Sequence, residues 1–298
     1  MIERKKNKVI VTIDFEDESM AALRQSYQIA KFLKAELVLV HVFELPDILR
    51  SFFTKNGELV GFTAEVMTKL KDLVILAKEE SGLEVTSRFE TGKAYIKIVE
   101  IAKELNARLI VMGRGGDNTL RLGSNTTNLV GNAPCPVVTV KNSSNKVEFK
   151  NIVMPLDLTK KTAEQTAMAI ALGRYFSCTI HIVSVLTGGI FLHRSRIYGK
   201  MLRVEKELNK QDVSTTVKLY PKTSESAHSV IMKYAKDVSA DLIMIFARDE
   251  VSINEHYIGT FAQHIINESD IPVLSLLPAE KHYGESPLDS IWDPLGLF

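Results

Sequence analysis

The chain has 298 residues, 45% of them hydrophobic, which is enough for two separate cores of ordinary domain size. Its 37 Lys and Arg against 36 Asp and Glu leave a formal charge of +1, so neither nucleic acid nor an anionic membrane is an expected partner. No run approaches the roughly 18 uninterrupted apolar residues of a membrane span, the run Val9–Ile13 is too short for an export signal, and two cysteines, Cys135 and Cys178, form no disulfide framework, so a reducing cytoplasm is expected.

Val9–Ile13 predicts a first strand ending at Asp14, and the acidic cluster Glu16-Asp17-Glu18-Ser19 predicts a helix start running to about Leu33. Leu37–Val42 predicts a second buried strand, followed by an irregular excursion over Leu45–Phe62. Val66, Leu70, Leu73, Val74 and Ala77 have the spacing of a helix over Glu65–Glu80 with one buried stripe. A third strand is expected over Leu83–Phe89, then a helix carrying Ile96, Val99, Ile101, Ala102 and Leu105. Leu109–Met112 predicts a fourth strand, Ser124–Asn132 a helix stopped by Pro134-Cys135-Pro136, and Val137–Val140 a fifth strand. The alternation implies parallel pairing through right-handed crossovers, a doubly wound sheet.

The pattern then begins again after a polar stretch, NSSNKVEFK, at Asn142–Lys150. Asp157 closes the next strand, Ile152–Leu156, at an offset of 157 − 14 = 143, and the second strands give 180 − 37 = 143 as well. Ala107–Met112 matches Ala240–Ile245 at an offset of 133, and Pro136-Val137 matches Pro272-Val273 at 136. The chain is therefore an internal duplication. The expected organisation is a first domain over 1–142, a linker over 143–150, a second domain over 151–278 and a tail over 279–298. The tail ends in Ile291, Trp292, Leu295, Leu297 and Phe298, which suit docking on a domain surface or, alternatively, a partner. Two equivalent halves are expected to form an intramolecular pair about a pseudo-twofold axis, with Val137–Val140 beside Val273–Leu276.

Gly113, Gly115 and Gly116 follow the fourth strand directly, and Gly123-Ser124 precedes a helix. Bare backbone beside helix N–H groups can close round a phosphate. A simple turn is the competing reading. His256 and His264 are eight apart and match no zinc spacing, so no metal site is expected, and His41 in a strand reads as a packed residue making a hydrogen bond. No nucleophile elbow is present, and Cys135 reads as core filling.

Both halves resemble universal stress protein domains. The resemblance rests on the acid closing each first strand (Asp14, Asp157), the His41-Val42 ending of the second, and the Met112-Gly113 ending of the fourth. The Gly-Ser or Gly-Thr helix start and the Pro-Val fifth strand complete it. It implies an α/β fold of two tandem doubly wound five-stranded parallel sheets with flanking helices, of the adenine-nucleotide α-hydrolase type. It also implies adenine-nucleotide binding, of ATP or a related compound, with or without Mg²⁺, in a stress-response role. Thr12, Ile13 and Asp14 would border adenine and ribose, Val42 would contact the base through its backbone, and Met112 would line it. Gly113, Gly116, Gly123, Ser124, Asn125 and Thr126 would surround the phosphates.

Nucleotide-binding members of that family carry a Gly-x2-Gly-x9-Gly-Ser/Thr loop. The first half keeps the glycines, but Asp117–Leu122 is three residues short of the pattern. Arg114 and Arg121 either supply compensating charge or are solvated surface residues. The second half keeps the spacing and replaces both leading glycines, reading Phe246-Ala-Arg-Asp249, so it is expected to have lost the site. The leading functional reading is a nucleotide-binding protein without dedicated catalysis. Alternatives are a slow ATPase using Asp14 or Asp117 with a metal, and an interaction scaffold that binds no nucleotide and acts through a protein partner or a homodimer.

Overall fold

Val9, Ile10 and Val11 have no exposed surface, and neither do Ile110, Val111, Ile152, Val153 and Ile243, the signature of parallel strands covered by helices on both faces. The computed structural model describes residues 6–44, 58–115, 124–141, 148–156, 162–186, 191–247 and 258–276, with backbone alone at 58–62, 124 and 191–193. The chain divides into two compact units, the second taking up the chain after Asn142.

The first unit runs β1 (Asn7–Thr12), α1 (Asp17–Phe32), β2 (Ala35–Phe43), α2 (Glu58–Ser81), β3 (Val85–Thr91), α3 (Ala94–Leu105), β4 (Leu109–Gly113), α4 (Ser124–Asn132) and β5 (Val137–Val140). Its strands lie in the order β3-β2-β1-β4-β5, and every pairing between them is parallel. The second unit runs β6 (Asn151–Pro155), α5 (Ala163–Phe176), β7 (Thr179–Val185), α6 (Phe191–Asn209), β8 (Thr215–Tyr220), α7 (Ala227–Asp237), β9 (Leu242–Phe246), α8 (Thr260–Glu268) and β10 (Val273–Leu276). Its order, β8-β7-β6-β9-β10, is the same. The doubly wound α/β fold expected of each half is thus the fold observed.

The duplication extends to single hydrogen bonds. Ile13 N–H donates to Val40 O at 2.8 Å, and Leu156 N–H donates to Val183 O at 2.8 Å. Arg108 N–H meets Lys8 O at 2.9 Å, and Asp241 N–H meets Asn151 O at 2.8 Å. These pairs stand at the offsets read from sequence.

Element boundaries shift where a neighbour or a packed face decides them. The irregular excursion expected through Phe62 is already helix from Glu58, and Gly61 does not interrupt it. An acidic first residue suits the helix dipole, and the buried face at Val66, Leu70 and Leu73 holds a helix that propensity alone would leave weak. Residues 45–57 lie outside the described residues. The third strand sits two residues later than expected because its pairing with β2 continues to Phe43↔Thr91. Helix α3 stops where Asn106 takes φ +50°, and α5 stops at Ser177 with φ +52°, left-handed positions that turn each chain back into a strand.

Phe149, in the stretch expected to link the halves, is buried with its ring 4.9 Å from that of Phe176. Residues 142–147 of that stretch and the tail 279–298 lie outside the described residues. Both cysteines are buried, and burial pushes each thiol up to about 12, which leaves them as core filling.

His181 in β7 is buried between Asn151 Oδ1, 3.1 Å from Nε2, and Thr216 Oγ1, 2.8 Å from Nδ1. Burial disfavours its imidazolium and lowers its pKa below the ordinary 6.5. The unfolded chain then binds the proton more readily, so stability is full above 6.5 and falls as the pH drops toward the lowered value. Thermal melts across this range should show a falling midpoint in the wild type and a shallower fall in His181→Gln. His228, lowered in the same direction, should account for a residual slope. An unchanged slope in His181→Gln would show that His181 does not carry the effect.

Candidate functional site

In a doubly wound sheet, a crevice opens outside the strand ends where the strand order reverses. In the first unit that place lies between β1 and β4, which pair in register from Val9↔Leu109 to Thr12↔Met112. Thr12 is half-buried there, Met112 is buried and Ile13 is buried. The strand ends thus bring Thr12, Ile13, Asp14, Met112 and Gly113 to one edge, and β2 brings His41 and Val42 beside them through its pairing with β1.

The chain leaves β1 through a tight polar turn. Glu16 N–H donates to Asp14 Oδ1 at 3.0 Å, so the Asp14 carboxylate is oriented by the backbone that follows it. Phe15 takes φ +69°, a conformation rare for a bulky residue and typical of functional strain. Its ring lies 5.1 Å from that of His41, which in turn stacks on Phe89 at 5.8 Å. His41 Nδ1–H donates to Ile13 O at 2.7 Å, the packed hydrogen bond expected of it.

Gly113 has a reason for lacking a side chain that is independent of any phosphate. A Cβ there would lie 2.5 Å from both Glu18 C and Ser19 N, because the first turn of α1 crosses directly over the end of β4. A Cβ on Gly115, by contrast, would meet nothing within 4 Å. Arg114 is half-buried, and its N–H extends the sheet to Val140 O at 2.7 Å. Gly116, Asp117, Arg121 and Gly123 lie outside the described residues, so the short side of the loop is known from sequence alone.

Helix α4 begins at Ser124, as expected, with Thr126 buried and Asn125 exposed. Asn125 Nδ2 donates to Glu44 Oε1 at 3.3 Å, and the same oxygen accepts from the Ala94 N–H at the start of α3. Glu44 therefore anchors two helix N-termini with one carboxylate, and it sets a negative charge beside a residue expected to face phosphates. Nothing in the sequence pairs Glu44 with Asn125, 81 positions away.

The second unit treats the equivalent place differently. Pro155 stands at the position of Thr12 (155 − 143 = 12), and β6 pairs β9 only through Ile152↔Leu242 and Val153↔Ile243. Beyond that register the side-chain amide of Gln165 takes over. Its Nε2 donates to Met244 O at 2.9 Å and to Pro155 O at 3.2 Å, and the residue is 2% exposed. The first unit has Ala22 at that position (165 − 143 = 22). Phe246 occupies the place of Gly113 and is buried, and Gly259 N–H is bound to Ala247 O at 3.1 Å. Loss of the leading glycine at Phe246, the Gln165 bonds between β6 and β9, and an occupied Gly259 amide leave no anion cradle among the described residues. Asp157 and Asp249 lie outside them.

The universal stress protein family model matches the chain twice, over residues 6–141 and 148–276. The chain belongs to that family. A universal stress protein of Methanocaldococcus jannaschii is 31% identical over 139 residues, 45% of this chain and 81% of that protein. One of Bacillus subtilis is 32% identical over 146 residues, 45% of this chain and 99% of that protein. Among solved structures, a universal stress protein from Archaeoglobus fulgidus superposes with a TM-score of 0.73 at 17% identity, covering 92% of this chain and 100% of that one. The last comparison shows the fold, and together they establish a tandem universal stress protein.

The contrast between Gly113 and Gly115 is testable by urea unfolding. Gly113→Ala should lose about 1–3 kcal/mol, as expected where a methyl meets packed backbone. Gly115→Ala should stay within about 0.5 kcal/mol of wild type. Equal losses in the two would remove the packing explanation for Gly113.

Proposed function

We propose that the first unit binds an adenine nucleotide in a stress-response or regulatory role without dedicated catalysis, and that the second unit does not bind one. The observation that carries this reading is the different treatment of one position. Where Gln165 donates to Pro155 O and Met244 O in the second unit, the first has Ala22, whose methyl group can make no such bond.

In this reading the base lies over the ends of β1 and β4. Met112 lines it, the Val42 backbone contacts its edge, and Thr12, Ile13 and Asp14 border the ribose. The phosphates point toward the start of α4, where Asn125, Thr126 and the helix N–H groups supply donors. Gly113, Gly116, Gly123 and Ser124 form the backbone there. A Mg²⁺ ion accompanying the nucleotide would find oxygen ligands on the phosphates and on Asp14. Glu44 works against the phosphates by charge, and the short loop offers them fewer amides. Affinity therefore comes mainly from the base and ribose. The absence of a membrane-spanning helix among the described residues is compatible with a cytoplasmic setting.

Mass spectrometry of the denatured purified protein, with calorimetry using adenosine, AMP and ATP, tests the proposal. The expected result is one site per chain, with ATP gaining about tenfold or less over adenosine, equivalent to 1.4 kcal/mol or less. Glu44→Gln keeps the acceptor for Ala94 and should tighten ATP about twofold to fivefold, the range of one partly exposed charge contact, with adenosine unchanged. No retained nucleotide and no heat at millimolar ligand would sink it, and would favour the interaction scaffold.

A further inference from the structure

Away from the strand ends, helices α7 and α8 of the second unit bring together His228, His264 and Glu268. Each offers one ligand atom, and the three atoms lie within 4.8 Å of one another. His264 and Glu268 are four residues apart on α8 and share a face, while His228 comes from the first turn of α7, where Ser226 caps the helix. Glu268 Oε1 lies 2.8 Å from His264 Nδ1 and 3.7 Å from His228 Nε2. These separations bracket the spacing of about 3.3 Å between neighbouring donors around a tetrahedral ion bound at about 2.0–2.1 Å. From this juxtaposition we propose that His228, His264 and Glu268 form a binding site for a zinc-class divalent transition metal.

The donor chemistry selects the class. Two imidazole nitrogens and one carboxylate oxygen suit Zn²⁺ and its borderline neighbours, whereas Mg²⁺ and Ca²⁺ prefer shells of oxygen. Three protein ligands leave a position for water, and the partial exposure of the cluster gives solvent access to it: side chains are 19% exposed at His228, 43% at His264 and 40% at Glu268. Glu268 closes α8, where the negative end of the helix dipole favours a cation, and the N-terminus of α7 opposes it at His228.

Two rearrangements are required. The two imidazoles are stacked, with centroids 4.1 Å apart and planes 2° from parallel, and parallel rings cannot both aim an in-plane lone pair at one ion. His264, the more exposed ring, must turn about its χ2 axis, a torsion with a broad energy well. Ser226 Oγ, 3.0 Å from His228 Nε2, must release that nitrogen or pass to the bound water. Binding would tie the start of α7 to the end of α8. This proposal is independent of the nucleotide reading of the first unit.

Calorimetry of the full chain with ZnCl₂ in a non-chelating buffer should show one equivalent bound at micromolar affinity. His228→Gln and His264→Gln should each weaken that site by about tenfold or more, since loss of a ligand costs at least as much as loss of its supporting partner. In the wild type, imidazole NMR resonances of His228 and His264 should move together over the first equivalent and lose the ring-current shift of the stack. That measurement needs no variant and so does not depend on the variants folding. No heat at millimolar Zn²⁺, affinity unchanged in both variants, or zinc-induced shifts confined to other histidines would each overturn the proposal.

Discussion

At the carboxyl end of the central strand in each unit, the backbone leaves the sheet while it is still buried, and its peptide groups need partners other than the next rung of the ladder. An unpaired carbonyl there costs about 1–3 kcal/mol, so the local sequence is built around satisfying it. In the first unit Ile13 O receives a hydrogen bond from His41, and in the second Leu156 O receives one from Ser184 at 2.6 Å. The two donors occupy equivalent positions, 184 − 143 = 41. Different side chains thus perform one backbone task, and what else stands at the strand ends is free to diverge.

That divergence separates a candidate binding edge from a packed one. Proline at 155 cannot donate to a ladder, the pairing of β6 with β9 stops early, and Gln165 supplies the missing donors from α5. The amide that stabilises the second unit thus lies between β6 and β9, where the first unit has only the methyl of Ala22. In the first unit the ladder continues to Thr12↔Met112, and the alanine at 22 leaves the strand ends to each other. Phe246 and Gly113 follow the same logic. Glycine is required where α1 crosses the end of β4, and a large apolar side chain is buried at the equivalent place in the second unit. A glycine that reads as part of a phosphate loop is thus first of all a packing residue.

The alternation of strands and helices and the repeat offsets were legible in the sequence because parallel strands buried on both faces leave continuous apolar runs, and because duplication makes each half a check on the other. The offset of 143 located Asp14 against Asp157 from residue types alone. Boundaries were less legible. The start of α2 at Glu58 depends on a packed face further along the helix, and the end of β3 depends on how far β2 offers a partner. The glycine loop was readable as composition, but whether each glycine serves a ligand or a helix crossing depends on what approaches it.

The sequence by itself determined the family and its duplication, because these follow from local patterning and its repetition, while Thr12, Asp14 and Met112 entered as what the family resemblance implies. Only the tertiary structure decided which distant side chains meet: Glu44 with Asn125 across 81 residues, Gln165 with carbonyls of two strands, and His228 with His264 and Glu268. Such contacts depend on helix crossings and strand registers that bring separate elements together. No periodicity along the chain encodes them, since each partner alone looks like an ordinary polar residue on a helix or at the end of a strand.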